Sequence, residues 1–256
     1  MKSRIQSYLR FAASKQRDIE QIGSFLATFS VHSDNPFLNY AIPDDNAIPS
    51  EADVNALITA YKQRLRIPRL EYITQLAPSV EGALLAAGFT VEGRLPLMTC
   101  LPGSQQNLPV PEGIELVAPV TDTELFATIA AQNEAYGESA PTDDAVMRLR
   151  ESMAAGQIVI LARVASTGEA VGAGVCTVPN NGMTEIAAIG VRAPFRRRGV
   201  AGAITTRLAC EAFDKAVTVA FLMAAHEAEE RIYTRAGFSK VGEILHISFQ
   251  NGRTVF

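Results

Sequence analysis

The chain has 256 residues, 48% of them apolar and 20% charged, enough to bury one large core or two modest ones and too apolar for an intrinsically disordered segment. Lys and Arg number 23 against 27 Asp and Glu, a net charge of −4, which excludes a broadly basic nucleic-acid binder. Cys100, Cys176 and Cys210 are far apart and His32, His226 and His246 equally scattered, so neither a disulfide framework nor a metal site is expected.

Along the chain, Lys2 and Arg4 are followed by no apolar segment of the kind that directs secretion. Ile19, Ile22, Phe25, Leu26 and Phe29 fall at three- and four-residue spacing, which predicts a mainly helical stretch over 3–29. A short strand is expected over 35–43, and a helix from Ser50 and Glu51 with Val54, Leu57, Ile58 and Tyr61 on one stripe. A strand over 69–73, a helix over 78–87 stopped by Gly88 and a strand over 95–101 complete the first half. Residues 101–113 hold three prolines and two glycines and show no apolar period, so they read as a linker. Domains are accordingly expected at 1–101 and 113–256, joined by 102–112.

In the second half, a strand at 114–117 and a helix at 122–131 are followed by a helix to about 154 that Thr142 can cap. Strands follow at 158–164, 171–178 and 185–191, separated by the turns Ser166-Thr167-Gly168 and Asn180-Asn181-Gly182. A helix at 200–215, a strand at 217–223, a helix at 228–235 and a strand at 238–249 close the chain. The longest apolar run, 216–225, falls short of the ~20 residues that span a membrane, so no membrane contact and a cytoplasmic location are expected. The fold class is α/β, an α+β arrangement with one mixed sheet, antiparallel early and crossed over later. Residues 232–238 parallel 83–89, and Gly242 parallels Gly93. The order of the flanking elements agrees as well, which favours a diverged duplication over a shared capping pattern.

The segment 189–204 carries the most chemistry. It leaves a strand, turns at Pro194, passes Arg196, Arg197 and Arg198, and enters a helix through Gly199, Val200, Ala201, Gly202 and Ala203. A helix start offers amide donors without internal partners and a partial positive charge, and the arginines add charge-assisted donors, so a diphosphate fits there. A solvated basic turn ahead of an ordinary helix is the alternative. No Lys-Ser/Thr pair follows the glycines, which excludes a P-loop, and Gly172-Ala173-Gly174 lacks the third glycine of a dinucleotide fingerprint.

Residues 196–201 are similar to the (Gln/Arg)-x-x-Gly-x-(Gly/Ala) signature of the GNAT superfamily, the general N-acetyltransferases. The strand 185–191 and the run Tyr233-x-x-x-Gly237-Phe238 stand where that family has them. The resemblance covers the second half; the first half resembles a degenerate partial copy without an arginine–glycine turn, which makes the chain a tandem. It implies a GNAT fold, acetyl-CoA as cofactor and direct transfer of acetyl to an amine of a small molecule or protein. Tyr233 would then be the acid that protonates the departing thiolate, and Glu185 the base that takes the amine's proton. The alternatives are an aromatic packed under the sheet for Tyr233 and a water-facing strand-start carboxylate for Glu185. Ile189, Gly190 and Val191 would present backbone groups to the pantetheine arm, and Glu134, Glu138 and Asp143 could line the acceptor cleft. His226 stands where many members have Asn, which leaves its cofactor contact open. A non-catalytic acyl-CoA-binding sensor is the competing reading, and the first half could supply a homodimer surface.

Overall fold

The computed structural model describes residues 1–15 and 17–249, which form two units: Met1–Leu97 with residues 241–249, and Met98–Lys240. The first unit begins with α1 (Lys2–Ala13), β1 (Arg17–Ile22), β2 (Phe25–Ser30) and β3 (Ala41–Pro43). It continues with α2 (Glu51–Gln63), β4 (Arg69–Ile73), α3 (Pro78–Ala86) and β5 (Thr90–Cys100), whose last three residues belong to the second unit. The final strand, β11 (Ser239–Ser248), returns to the first unit, where the strand order is β1-β2-β3-β4-β11-β5.

The helical expectation for 3–29 holds only as far as Ala13. Residues 17–30 form a β-hairpin instead, with Ile22 opposite Phe25 across a two-residue loop. Gly23 heads that loop at φ +54°, a conformation that suits tight hairpin turns. Phe25, Ala27 and Phe29 are buried at alternate positions while Ile19 is 57% exposed, so the operative period is two. Apolar residues three and four apart matched a helix only because several strand positions coincide with that spacing. The expected strand over 35–43 likewise divides into a 3-10 turn, Pro36–Leu38, and the short β3.

In both units a helix links two parallel neighbouring strands. In the first, α2 lies between β3 and β4, which pair in parallel at Ala41 and Leu70. Its start is closed by a capping box: Ser50 Oγ accepts from the Asp53 amide at 3.2 Å, and Asp53 accepts from the Ser50 amide at 2.9 Å.

The second unit contains β6 (Ile114–Val117), α4 (Asp122–Tyr136), α5 (Asp143–Ala154), β7 (Ile158–Val164), β8 (Ala170–Cys176) and β9 (Met183–Val191). After these come α6 (Val200–Asp214), β10 (Val219–Met223) and α7 (Glu227–Arg235). The strand order is β10-β9-β8-β7-β6, antiparallel except for the parallel pair β9–β10, as expected for a mixed sheet crossed over late in the chain. Thr142 caps α5 by accepting from the Ala145 amide. Ile204, Leu208, Ala209 and Ala212 form the buried stripe of α6 and pack with Ile158, Ile160 and Val171 in one core. Leu208 is fully buried there, so Leu208→Ala is expected to lower the unfolding free energy by about 2–5 kcal/mol. Urea unfolding of the full chain measures this; a change under about 1 kcal/mol would mean that α6 is not seated on the sheet as described. Among the described residues no helix is long and apolar enough to cross a membrane.

Candidate functional site

The site begins where β9 and β10 part. They pair over three positions only, Met183–Val219, Thr184–Ala220 and Glu185–Phe221. Beyond these, β9 stays with β8 but takes a bulge in which Ala188 has φ +51°. Helix α4 fastens the bulged edge: Gln132 Nε2 donates to the Ala188 carbonyl at 2.8 Å and the Tyr136 hydroxyl to the Ile189 carbonyl at 3.1 Å. A side chain on Gly190 would come within 2.9 Å of Ala135 Cβ, so glycine lets α4 approach the strand. The start of α4 is set by Thr121 and Glu124; amides of Val120 and Thr121 hold the Glu124 carboxyl down at about 2.

After β9 the chain makes the 3-10 turn Ala193–Phe195 and passes the three arginines with Arg197 at φ +61°. Gly199, at φ +91°, is the residue that precedes α6, and no side chain caps the helix. The Ala203 amide is bonded to the Gly199 carbonyl at 3.1 Å. Ahead of it, the amides of Val200, Ala201 and Gly202 donate to no acceptor among the described residues. Arg196 is a brace, with Nε on the Val191 carbonyl at 2.9 Å and Nη2 on the Ala135 carbonyl at 3.0 Å. Arg198 lies over the Phe195 ring, and neither Arg197 nor Arg198 has an ion-pair partner among the described residues. Two cationic groups and a run of unpaired amides therefore meet at one helix start.

A cavity of about 890 Å3 opens from this start. It brings together Ile189, Gly190, Val191, Arg196, Arg197, Arg198, Gly199, Val200, Ala201, Gly202, His226 and Tyr233. Ala203 is buried and Glu185 stands outside the lining, its main chain bonded to Thr177 in both directions. Glu134 pairs with Arg192, Asp143 lines a separate groove with Phe126 and Met147, and Glu138 lines neither. Gly202 makes room for a neighbouring segment: Leu108 Cδ1 lies 2.9 Å from where its Cβ would be.

Tyr233 is 7% exposed, its ring packed against Phe238 at 6.5 Å between centroids, and its hydroxyl makes no hydrogen bond among the described residues. Burial, then the Glu229 carboxylate and Tyr136, push that hydroxyl's pKa well above the ordinary tyrosine value. Burial raises Tyr136 similarly, to about 12. Both rings therefore hold their protons at neutral pH. Glu229, one helical turn before Tyr233, also lines the cavity, and its Oε2 accepts from the Ala225 amide at 2.7 Å. His226 precedes α7, and its Nδ1 accepts from the Glu229 amide at 3.4 Å. Cys100 and Cys176 are buried, with thiols raised to about 11 and about 12, and none of the three cysteines lines the cavity. No thiol nucleophile is thus at hand.

The sequence reading missed Gln132, Tyr136, Glu229 and the Leu108–Glu112 stretch, all but the first lining the cavity. Glu229 carried a signal, since it precedes Tyr233 by four positions on a helix and so shares its face.

Residues 125–238 match the family model described as the acetyltransferase (GNAT) family. No curated protein matches the chain in sequence. Among solved structures, a GCN5-related N-acetyltransferase from Kribbella flavida superposes with a TM-score of 0.81 at 22% identity, over 98% of this chain and 96% of its own. A second, from Sphaerobacter thermophilus, gives 0.68 at 17% identity, over 91% and 79%. A tandem GNAT protein from the clavulanic acid biosynthesis pathway gives 0.64 at 12% identity, over 94% and 85%.

Proposed function

We propose that the chain is an acetyltransferase of the GNAT superfamily, whose family model residues 125–238 match, and that it transfers acetyl from acetyl-CoA directly to an amine of a small molecule or protein, in the cytoplasm. The observation that carries the reading is the row of unpaired amides at Val200, Ala201 and Gly202, flanked by Arg197 and Arg198 and opening into a cavity that reaches Tyr233. That helix start would hold the diphosphate, and the backbone of 189–191 would run beside the pantetheine arm. The Ile189 and Val191 carbonyls already accept from Tyr136 and Arg196, so the strand's remaining polar groups are what is left for that arm. When bound, acetyl-CoA supplies the activated acetyl group.

The residues then handle protons. Tyr233, protonated at neutral pH and without a competing partner, gives its proton to the departing sulfur. For the proton of the acceptor amine, Glu185 is the base that the family's spacing implies, whereas Glu229 is a carboxylate that lines the cavity. The larger loss is expected for Glu229→Gln: roughly 100-fold in turnover, with the bond to the Ala225 amide kept by the glutamine oxygen. Steady-state rates of the two glutamine variants decide it; a loss in Glu185→Gln alone would return the role to β9. With no thiol in the cavity, direct attack is favoured over an acylated cysteine.

The first unit is proposed to be a degenerate copy of the second. Gly88 and Gly237 both have positive φ, and Phe89 and Phe238 both donate from their amides to the residue five before, Leu84 and Tyr233. Helix α2 is the counterpart of α6, but Ser50, Asp53 and Glu51 fill its start with capping bonds and negative charge, so an anion is repelled there. The test of the whole reading is acetyl-CoA consumption across a panel of primary amines, beside calorimetry with CoA. Turnover of at least one amine is expected; tight binding without any turnover would make the protein an acyl-CoA sensor.

A further inference from the structure

Residues 101–113 contain no helix or strand, yet part of the stretch is fastened to the rest of the second unit at successive points. The Gln106 amide donates to the Ala236 carbonyl at 3.0 Å, and the Gln106 carbonyl accepts from Thr206 Oγ1 at 3.0 Å. A side chain on Gly237 would collide with the main chain of Ser104 and Gln105. Further on, Leu108 fills the space beside Gly202 and Pro111 Cγ lies 3.9 Å from where a Gly199 side chain would begin. The stretch thus runs from the end of α7, across α6, to the helix start with the unpaired amides. Leu108 to Glu112 line the same cavity as Arg197 and Gly199, and Val110 holds its apolar side chain 43% exposed.

A plain tether needs none of this. Two prolines stiffen the stretch, so little conformational entropy remains to be lost when a ligand lies against it. We propose that residues 108–112 are a wall of the acyl-CoA site, an apolar face beside the start of α6 that packs against the nucleotide half of the ligand. This rests on the cofactor reading above and adds to it a segment outside the stretch that matches the family. The wall explains why α6 carries a residue as small as Gly202, whose missing side chain leaves the space that Leu108 occupies; Gly199 is required by its positive φ instead.

The test is titration calorimetry of the full chain with CoA and with adenosine 3′,5′-bisphosphate, which carries the nucleotide end without the pantetheine arm. Leu108→Ala with Thr206→Val loosens the stretch at two of its attachments, and Val110→Asp leaves it fastened but sets a carboxylate on the wall. Each is expected to raise both dissociation constants at least 10-fold. Should the double variant unfold, Val110→Asp decides alone, because that side chain is partly solvent-exposed. A lowered melting temperature with both affinities as in the wild type would make the stretch a fastened tether and overturn the proposal. Absence of binding by the wild-type chain itself would instead remove the cofactor reading, and the wall with it.

Discussion

Tyr233→Phe is expected to lower acetyl transfer by about 100-fold or more while leaving the affinity for CoA within roughly two-fold. The ring is nine-tenths buried and packs on Phe238, so phenylalanine keeps the shape of the site and removes only the hydroxyl. That hydroxyl faces no acceptor among the described residues, so its loss strands no buried partner and the fold should be indifferent. The hydroxyl carries its proton at neutral pH, as an acid for a departing thiolate requires, and burial with the Glu229 carboxylate raises its pKa further. Stopped-flow or steady-state release of CoA thiol measures the effect. Undiminished turnover would take the acid role away from α7. On the proposed duplication the counterpart position in the first unit is Leu84, which cannot donate a proton, so a residual rate in the variant would not come from a second site there.

Gly199→Glu is expected to weaken CoA binding by 100-fold or more. Glycine at this position has φ +91°, and the space where a side chain would begin is open apart from Pro111 at 3.9 Å. A glutamate would therefore meet backbone strain of about 1–2 kcal/mol rather than a clash. Its carboxylate would stand where the amides of Val200, Ala201 and Gly202 are unpaired, taking those donors for itself and repelling a diphosphate. Gly199→Ala shares the strain without the charge, so a loss of only a few-fold in that variant separates the two causes. Calorimetry on both reports the difference; equal losses would reduce the effect to backbone geometry.

What could be read from the sequence was local. The Thr142 cap, the Asn-Gly turn ahead of β9 and the arginine–glycine entry to α6 each depend on residues within a few positions of one another. What escaped it was non-local. The hairpin at residues 17–30 was concealed by apolar spacing that suits a helix as well as a strand, and only burial of alternate residues tells them apart. Tyr136 and Gln132 gain meaning from carbonyls more than 50 positions away, on a bulge that no periodicity announces. Prolines and glycines in 101–113 speak against regular structure, but irregular backbone can still be firmly placed when neighbouring helices exchange hydrogen bonds with it. Glu185 is suggested by spacing along β9 and stands outside the cavity lining, whereas Glu229, on a helix some 40 residues later, lines it.

The most direct measurement is a crystal structure of the full chain grown with acetyl-CoA. Diphosphate oxygens are expected within about 3 Å of the amides at the start of α6, with the thioester sulfur beside the Tyr233 hydroxyl. A ligand bound in another place, or a helix start still empty at millimolar acetyl-CoA, would contradict this.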